Sequence, residues 1–300
     1  MEEKKINIAP KYIPQPGSGY LKSVDSIENV QKLKKNTEEK KIKVRIAGGY
    51  GNSNDIKWLI NNVEIVKSVK DADLIVATGG ADIDPEIYGE KINRRTYINE
   101  SRDQNELIEL KQAIDLGIPI IGICRGAQLS CALAGGKLVQ HVTNHGSNHT
   151  ITIMEGDYKN YEYVVNSMHH QMMYPFFMKS KDYSIIAKTS QARSTTYEND
   201  SEKEQMNLPY EPEIIYFNNI NAYAIQCHPE MMSSMYIDFL NFLKYDIQLK
   251  FSELFDNKND KSFFDQAHDE AEKLMHEEQL KLKHEVEIKV NEIYNLTNKK

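Results

Sequence analysis

Cysteine is scarce in this chain, with three in 300 residues, at positions 124, 131 and 227. The set is odd and has no C-x-x-C spacing, which argues against a disulfide framework or a thiolate zinc site and leaves room for an intracellular nucleophile. A basic surplus is missing as well. The formal net charge of -7 gives no footprint for nucleic acid or an anionic membrane surface. No apolar run is long enough to span a bilayer, and the opening residues MEEKKINIAPKYIPQPG lack the apolar stretch of a secretory signal. The expectation is a cytoplasmic protein without nucleic-acid or membrane partners. What the sequence does have is 40% hydrophobic residues, enough to bury a real core.

The pattern along the chain divides it into three. Residues 1–40 combine Pro10, Pro14, Pro16, Gly17 and Gly19 with a Lys/Glu-rich run and are expected to form a flexible arm leading to a short helix. Residues 41–250 read as one α/β domain. Apolar strands are expected at 43–47, 63–66, 74–77 and 118–123, with a helix capped by Ser53 or Asn54 after the first. A long helix at 102–116 is closed by Gly117, and a shorter one at 127–134 is ended by Gly135 and Gly136. This alternation predicts a doubly wound, mostly parallel sheet. Stretches at 149–154, 183–188, 213–217 and 222–226 predict an antiparallel extension that returns His228 to the sheet, and the polar, acidic 197–212 segment reads as a surface excursion. Residues 251–300 are densely charged. Their apolar stripe (Phe264, Ala267, Ala271, Leu274, Met275, Leu282, Val286) suits an appended amphipathic helix that covers its parent domain or, as the lesser alternative, meets a second copy or a partner.

Chemistry concentrates at Gly122-Ile123-Cys124-Arg125-Gly126, where a sulfur stands between an apolar strand and a helix. A sharp strand-to-helix turn strains the backbone at such a position, and small flanking residues let neighbours approach. The helix N-terminus favours thiolate. Taken alone, the pentapeptide fits a buried small hydrophobe equally well, and Cys131 and Cys227 fit that description better. A thiolate nucleophile needs a proton carrier, and the carrier needs a carboxylate to orient it. Ala224-Ile225-Gln226-Cys227-His228-Pro229-Glu230 offers His228 and Glu230 at a strand end. The Arg125 N–H and the Thr78-Gly79-Gly80 turn are candidate oxyanion donors, the turn being equally readable as a plain tight turn.

With these residues in view, the chain resembles a class I glutamine amidotransferase domain, of the branch of free-standing γ-glutamyl-amide hydrolases that includes γ-glutamyl-γ-aminobutyrate hydrolase. The resemblance rests on TGGADIDPEIYG (78–89), the R-D-x-x-E run at 102–106, GICRGAQ (122–128), LAGGKLVQ (133–140), VNSMHHQ (165–171) and QCHPE (226–230), in the family's order over about residues 43–245. It implies a flavodoxin-like sheet, with Cys124 as nucleophile, His228 as general base and acid, Glu230 as orienting carboxylate, and Gly80 and Arg125 N–H groups at the oxyanion. It also implies that Gly79, Gln128, His169 and His170 line the substrate, with Gln128 at the α-amino acid end, and that no cofactor is needed. The implied substrate is glutamine or a γ-glutamyl amide. One alternative is a glutaminase that passes ammonia to a synthetase partner docked on the tail helix, and another is a non-catalytic scaffold on the same fold. Ala81 stands where relatives often have a third glycine, and the segment before Thr78 is short.

His141, His145 and His149 recur every four residues, close to His169 and His170. On a helix they would make a metal face. Gly146 and the polar surroundings predict loop and strand instead, where that spacing is not expected to converge on one ion, so no metal site is expected.

Overall fold

The computed structural model describes residues 41–199 and 208–255. The expected N-terminal arm, the middle of the 197–212 excursion and the apolar stripe at 264–286 lie outside them. In chain order the strands are β1 (Ile42–Ile46), β2 (Val63–Ile65), β3 (Leu74–Ala77), β4 (Ile120–Ile123), β5 (Lys137–Val139), β6 (His141–Val142), β7 (His149–Ile153), β8 (Glu162–Val165), β9 (Met172–Tyr174), β10 (Tyr183–Thr189), β11 (Tyr197–Glu198), β12 (Pro212–Phe217) and β13 (Ala222–Ile225). The α-helices are α1 (Glu100–Leu116), α2 (Arg125–Leu133), α3 (Ile237–Lys250) and the short α4 (Ser252–Phe255).

Nine of these strands form one sheet in the order β2-β1-β3-β4-β13-β12-β10-β7-β8. The first five run parallel, which is the flavodoxin-like order 2-1-3-4-5, and the remainder pair antiparallel. The doubly wound sheet with an antiparallel extension is therefore present as expected. Its central strands read as unbroken apolar runs, LIVA in β3 and IIGI in β4, because every residue in them is buried and both faces are covered. Leu74 and Val76 pack with Phe239, Phe242 and Leu243 of α3. Ile75 and Ala77 face the other way, onto Leu110 and Ala113 of α1 and Ala127 of α2. The extension is less enclosed, so β7 alternates buried and half-buried residues.

Helix α1 starts where the Asn99 side chain accepts from the Arg102 N–H and stops at Gly117, whose φ of 68° is a left-handed cap. Other expectations need correction. The helix expected after Ser53 or Asn54 is a single 3-10 turn at Ser53–Asp55, capped by Asn52 through a reciprocal pair with Asp55. The buried Ile56, Leu59 and Ile60 are followed by the paired asparagines Asn61 and Asn62, which are poor helix formers, and the chain then enters β2. The ends of the 197–212 segment are not surface: Tyr197–Glu198 pairs with β6, and Asn199 and Glu211 are buried. Glu211 is there because its carboxylate accepts from the N–H groups of Arg193 and Ser194 and from the Tyr197 hydroxyl.

Three loops leave the carboxyl ends of adjacent parallel strands side by side. These are Thr78–Gly80 after β3, Cys124 after β4 and Gln226–Glu230 after β13. Ligands of open α/β sheets bind outside this edge.

Candidate active site

Cys124 sits at the junction of β4 and α2 with φ 49° and ψ -104°, a region that costs a non-glycine residue on the order of 1–3 kcal/mol and is held only by surrounding structure. The flanking glycines show what holds it. A side chain at Gly122 would come within 2.5 Å of the Gly126 carbonyl oxygen, and one at Gly126 would run into the Ala77 carbonyl of β3. The turn is thus packed backbone to backbone, and the Cys124 N–H is fastened to the Ile225 carbonyl at 2.7 Å. Arg125 N–H is one of the amides that a helix start leaves without an intrahelical partner.

The strand β13 brings His228 to the same place. Its Nδ1–H donates to Glu230 Oε1 at 2.7 Å, and its backbone is bracketed by Asn166, which accepts from the His228 N–H and donates to the His228 carbonyl, both at 2.8 Å. Gly79 lies beneath the imidazole. A β-carbon there would stand 2.7 Å from His228 Cε1 and 3.7 Å from Cys124 Cβ, so the missing side chain is the space in which cysteine and histidine meet. Burial pulls the His228 pKa down, but its contacts with Cys124 and Glu230 outweigh that and hold it up at about 10. The ring is therefore an imidazolium at neutral pH. Burial pushes the thiol of Cys131 up to about 12 and that of Cys227 well above its usual value, which leaves both as inert packing groups.

A buried charge cluster supports the turn from below. Arg102 Nε donates to Glu106 Oε1 at 2.7 Å and its Nη2 to the Thr78 carbonyl at 3.1 Å, while the Arg125 guanidinium donates to both Glu106 and Asp103. The R-D-x-x-E run is thus the α1 face that clamps the elbow and the Thr78–Gly80 turn together. Gly80 has to be a glycine because the Arg102 guanidinium occupies the space of a side chain.

Cys124 opens into a cavity of about 200 Å³ whose wall includes Gly80, Asp82, Gln128, Met168 and His170. Gln128 Nε2 donates to the Gln171 carbonyl at 3.2 Å, and His170 Nε2 pairs with Asp82 at 3.1 Å. His169 also belongs to the wall, but its nitrogens turn inward, Nδ1 to the Gln171 carbonyl at 2.8 Å and Nε2 toward Glu213. Gly79 backs His228 and is not among the residues around this cavity. A larger cleft of about 540 Å³, bordered by His149, Glu162 and Arg193, lies away from the cysteine. The sequence did not single out Asn166 or Gln226, whose Nε2 lies 3.8 Å from Cys124 Sγ. The only signal for them was their place inside the VNSMHHQ and QCHPE motifs.

The histidine spacing also needs correction. His145 and His149 do converge, together with Glu213, because the loop before β7 folds back over β12. His141 goes elsewhere, to Arg95 and the His170 ring.

Residues 28–230 match the family model described as Peptidase C26. The chain is 34% identical over 119 residues to the glutamine amidotransferase-like protein YvdE of Lactococcus lactis subsp. lactis, an alignment covering 34% of this chain and 50% of that protein. It is 38% identical over 73 residues to a glutamine amidotransferase-like protein of Rickettsia prowazekii, covering 24% and 26%. It is 30% identical over 122 residues to the protein NtpR of Enterococcus hirae, covering 34% and 51%. The chain therefore spans about half or less of the length of these relatives. A glutamine amidotransferase structure from Thermotoga maritima aligns with a TM-score of 0.43 and 13% identity, over 73% of this chain and 91% of that one. Among the described residues, no helix is long and apolar enough to cross a membrane.

Proposed function

Since the chain belongs to the Peptidase C26 family, we propose that it is a cysteine-dependent amide hydrolase of the γ-glutamyl hydrolase type, cleaving the side-chain amide of glutamine or of a γ-glutamyl amine. The observation that carries this reading is the meeting of Cys124 and the His228–Glu230 pair over Gly79, with Cys124 also lining one small cavity. The Cys124 sulfur attacks the γ-carbonyl carbon. The C–N bond breaks as His228 gives its proton to the departing nitrogen, and ammonia or an amine leaves behind a γ-glutamyl thioester. Water then attacks the thioester, passes a proton to His228, and releases glutamate and the sulfur. Glu230 holds the ring by its Nδ1–H so that Nε2 is left for the sulfur, the leaving group and the water.

The charge that develops on the carbonyl oxygen is met by the N–H groups of Arg125 and Gly80, each such donor contributing on the order of 10²–10³ in rate. A cavity of about 200 Å³ is smaller than the roughly 300–1,000 Å³ of sites for drug-sized ligands and suits a single glutamyl group. Gln128 and the His170–Asp82 pair are placed to receive its α-amino and α-carboxylate ends. The test is glutamate release from a panel of glutamine and γ-glutamyl amines, with Cys124→Ala as control, alongside labelling by a glutamine-like diazo-ketone. Release that disappears in the variant, with the adduct mapped to Cys124, is the expected result. No release from any member of the panel and no adduct on Cys124 would overturn the reading.

A further inference from the structure

Beside the Cys124 cavity, whose wall includes His169, the loop before β7, the strand β12 and the 165–171 stretch bury His145, His149, His169 and Glu213 against one another, with side chains no more than 2% exposed. A carboxylate so deep in the protein needs a cation or hydrogen-bond donors beside it. The imidazoles surround one oxygen: from Glu213 Oε1 it is 3.0 Å to His149 Nε2, 3.7 Å to His145 Nδ1 and 4.0 Å to His169 Nε2.

The outer nitrogen of each ring faces an acceptor. His169 Nδ1 lies 2.8 Å from the Gln171 carbonyl, His149 Nδ1 lies 3.4 Å from the Ser147 carbonyl, and His145 Nε2 lies 3.4 Å from Glu211 Oε2. With protons on those outer nitrogens the inner ones turn lone pairs toward the carboxylate, and the repulsion is relieved either by a second proton on His149, whose Nε2 lies 3.0 Å from Glu213 Oε1, or by a metal ion among them. Both nitrogens of His145, His169 Nε2 and Glu213 Oε2 are buried without a hydrogen-bond partner, the 3.4 Å approach of His145 Nε2 to Glu211 being an ion-pair distance only.

We propose that His145 Nδ1, His149 Nε2, His169 Nε2 and Glu213 bind a zinc ion. The three spacings from Glu213 Oε1 bracket the roughly 3.3 Å expected between ligand atoms on a tetrahedron with metal–ligand bonds of about 2.0–2.1 Å; His145, His149 and Glu213 offer ligand atoms all within 4.8 Å of one another, and His169, the most distant from Glu213 Oε1 at 4.0 Å, is the fourth. Three imidazoles and a carboxylate suit a first-row transition ion and not the all-oxygen shells of calcium or magnesium. The outer acceptors are the orienting partners that metal-bound histidines have. With four protein side chains as ligands, each no more than 2% exposed, the site is structural. Its ion fastens the 169–171 stretch, and the Gln171 carbonyl that receives His169 Nδ1–H also receives Gln128 Nε2–H from the cavity wall.

The site does not depend on the hydrolase reading, and its test needs no turnover. Full-length protein without a histidine tag is purified and assayed for metal by mass spectrometry, then exchanged with cobalt(II). About one zinc per chain, tetrahedral cobalt bands and an X-ray absorption shell of about four N/O atoms near 2.0 Å are expected. Chelation should lower the thermal midpoint and zinc should restore it. Glu213→Gln and His145→Gln should lose the ion, and the cobalt spectrum of the unaltered chain gives the answer should either variant fail to fold. Protein that neither retains nor takes up zinc or cobalt overturns the site, as does a bound metal with sulfur in its first shell.

Discussion

His228 is held as an imidazolium by two neighbours of different kinds, the Cys124 sulfur and the Glu230 carboxylate, acting against burial. Because its folded pKa of about 10 lies above the ordinary 6.5, the contribution of this charge to stability is complete below pH 6.5 and is lost as pH rises through about 10. In the proposed mechanism the same proton is the one given to the leaving group, so the alkaline limb of the kcat/KM profile should fall near pH 10. Glu230→Gln removes one of the raising contacts and should move that limb to lower pH, with a loss of about 10²–10⁴ in rate. A pH–rate series on both proteins decides it, and an unmoved limb would separate Glu230 from the base. Much at this scale was legible from sequence, since elbow and His-Pro-Glu are local patterns in which one residue's place implies the next. Asn166 was not, because its bond to the His228 backbone spans 62 residues and no local pattern encodes such a pairing.

At the scale of elements, α1 is more than a cover for the sheet. Arg102, Asp103 and Glu106 share one face at helical spacing, and Glu106 takes a guanidinium from its own helix and another from the elbow. Glu106→Ala leaves two buried cations with one carboxylate fewer. A cost of about 3–5 kcal/mol is expected for breaking such a pair, measured by urea unfolding, with Cys124 alkylation altered as the turn loosens. The helix could be read from sequence, but its ionic partner on α2 could not. The two- and three-residue strands β5, β6, β9 and β11 are too short to carry a period, which is why the sequence passed over them. The ends of the 197–212 segment misled by their polarity: Glu211 is an acid placed inside to gather backbone N–H groups, and composition does not distinguish that use from exposure.

Across the whole molecule, the parallel half of the sheet was legible because strands buried on both faces are written as continuous apolar runs. The histidine convergence was not, since it depends on a loop folding over a strand some sixty residues distant. Burial also sets a gradient of local stability. Amides of β3, β4 and β13, where every residue is buried, should exchange with deuterium only on global unfolding, while the edge strands β2 and β8, with half-buried and exposed residues, should exchange through local opening. Peptide-resolved exchange at two denaturant concentrations separates these classes, and equal rates at the edge and centre would contradict the packing described.

The turn after β3, the elbow after β4 and the loop after β13 come from stretches widely separated along the polypeptide, yet they complete one another. During synthesis the sulfur emerges from the ribosome long before its imidazole, and until β13 docks beside β4 it stands without that partner. Under the proposed function, catalytic competence is thus withheld from every truncated or half-folded product, and rapid alkylation of Cys124 can serve as a clock for the closing of the central sheet.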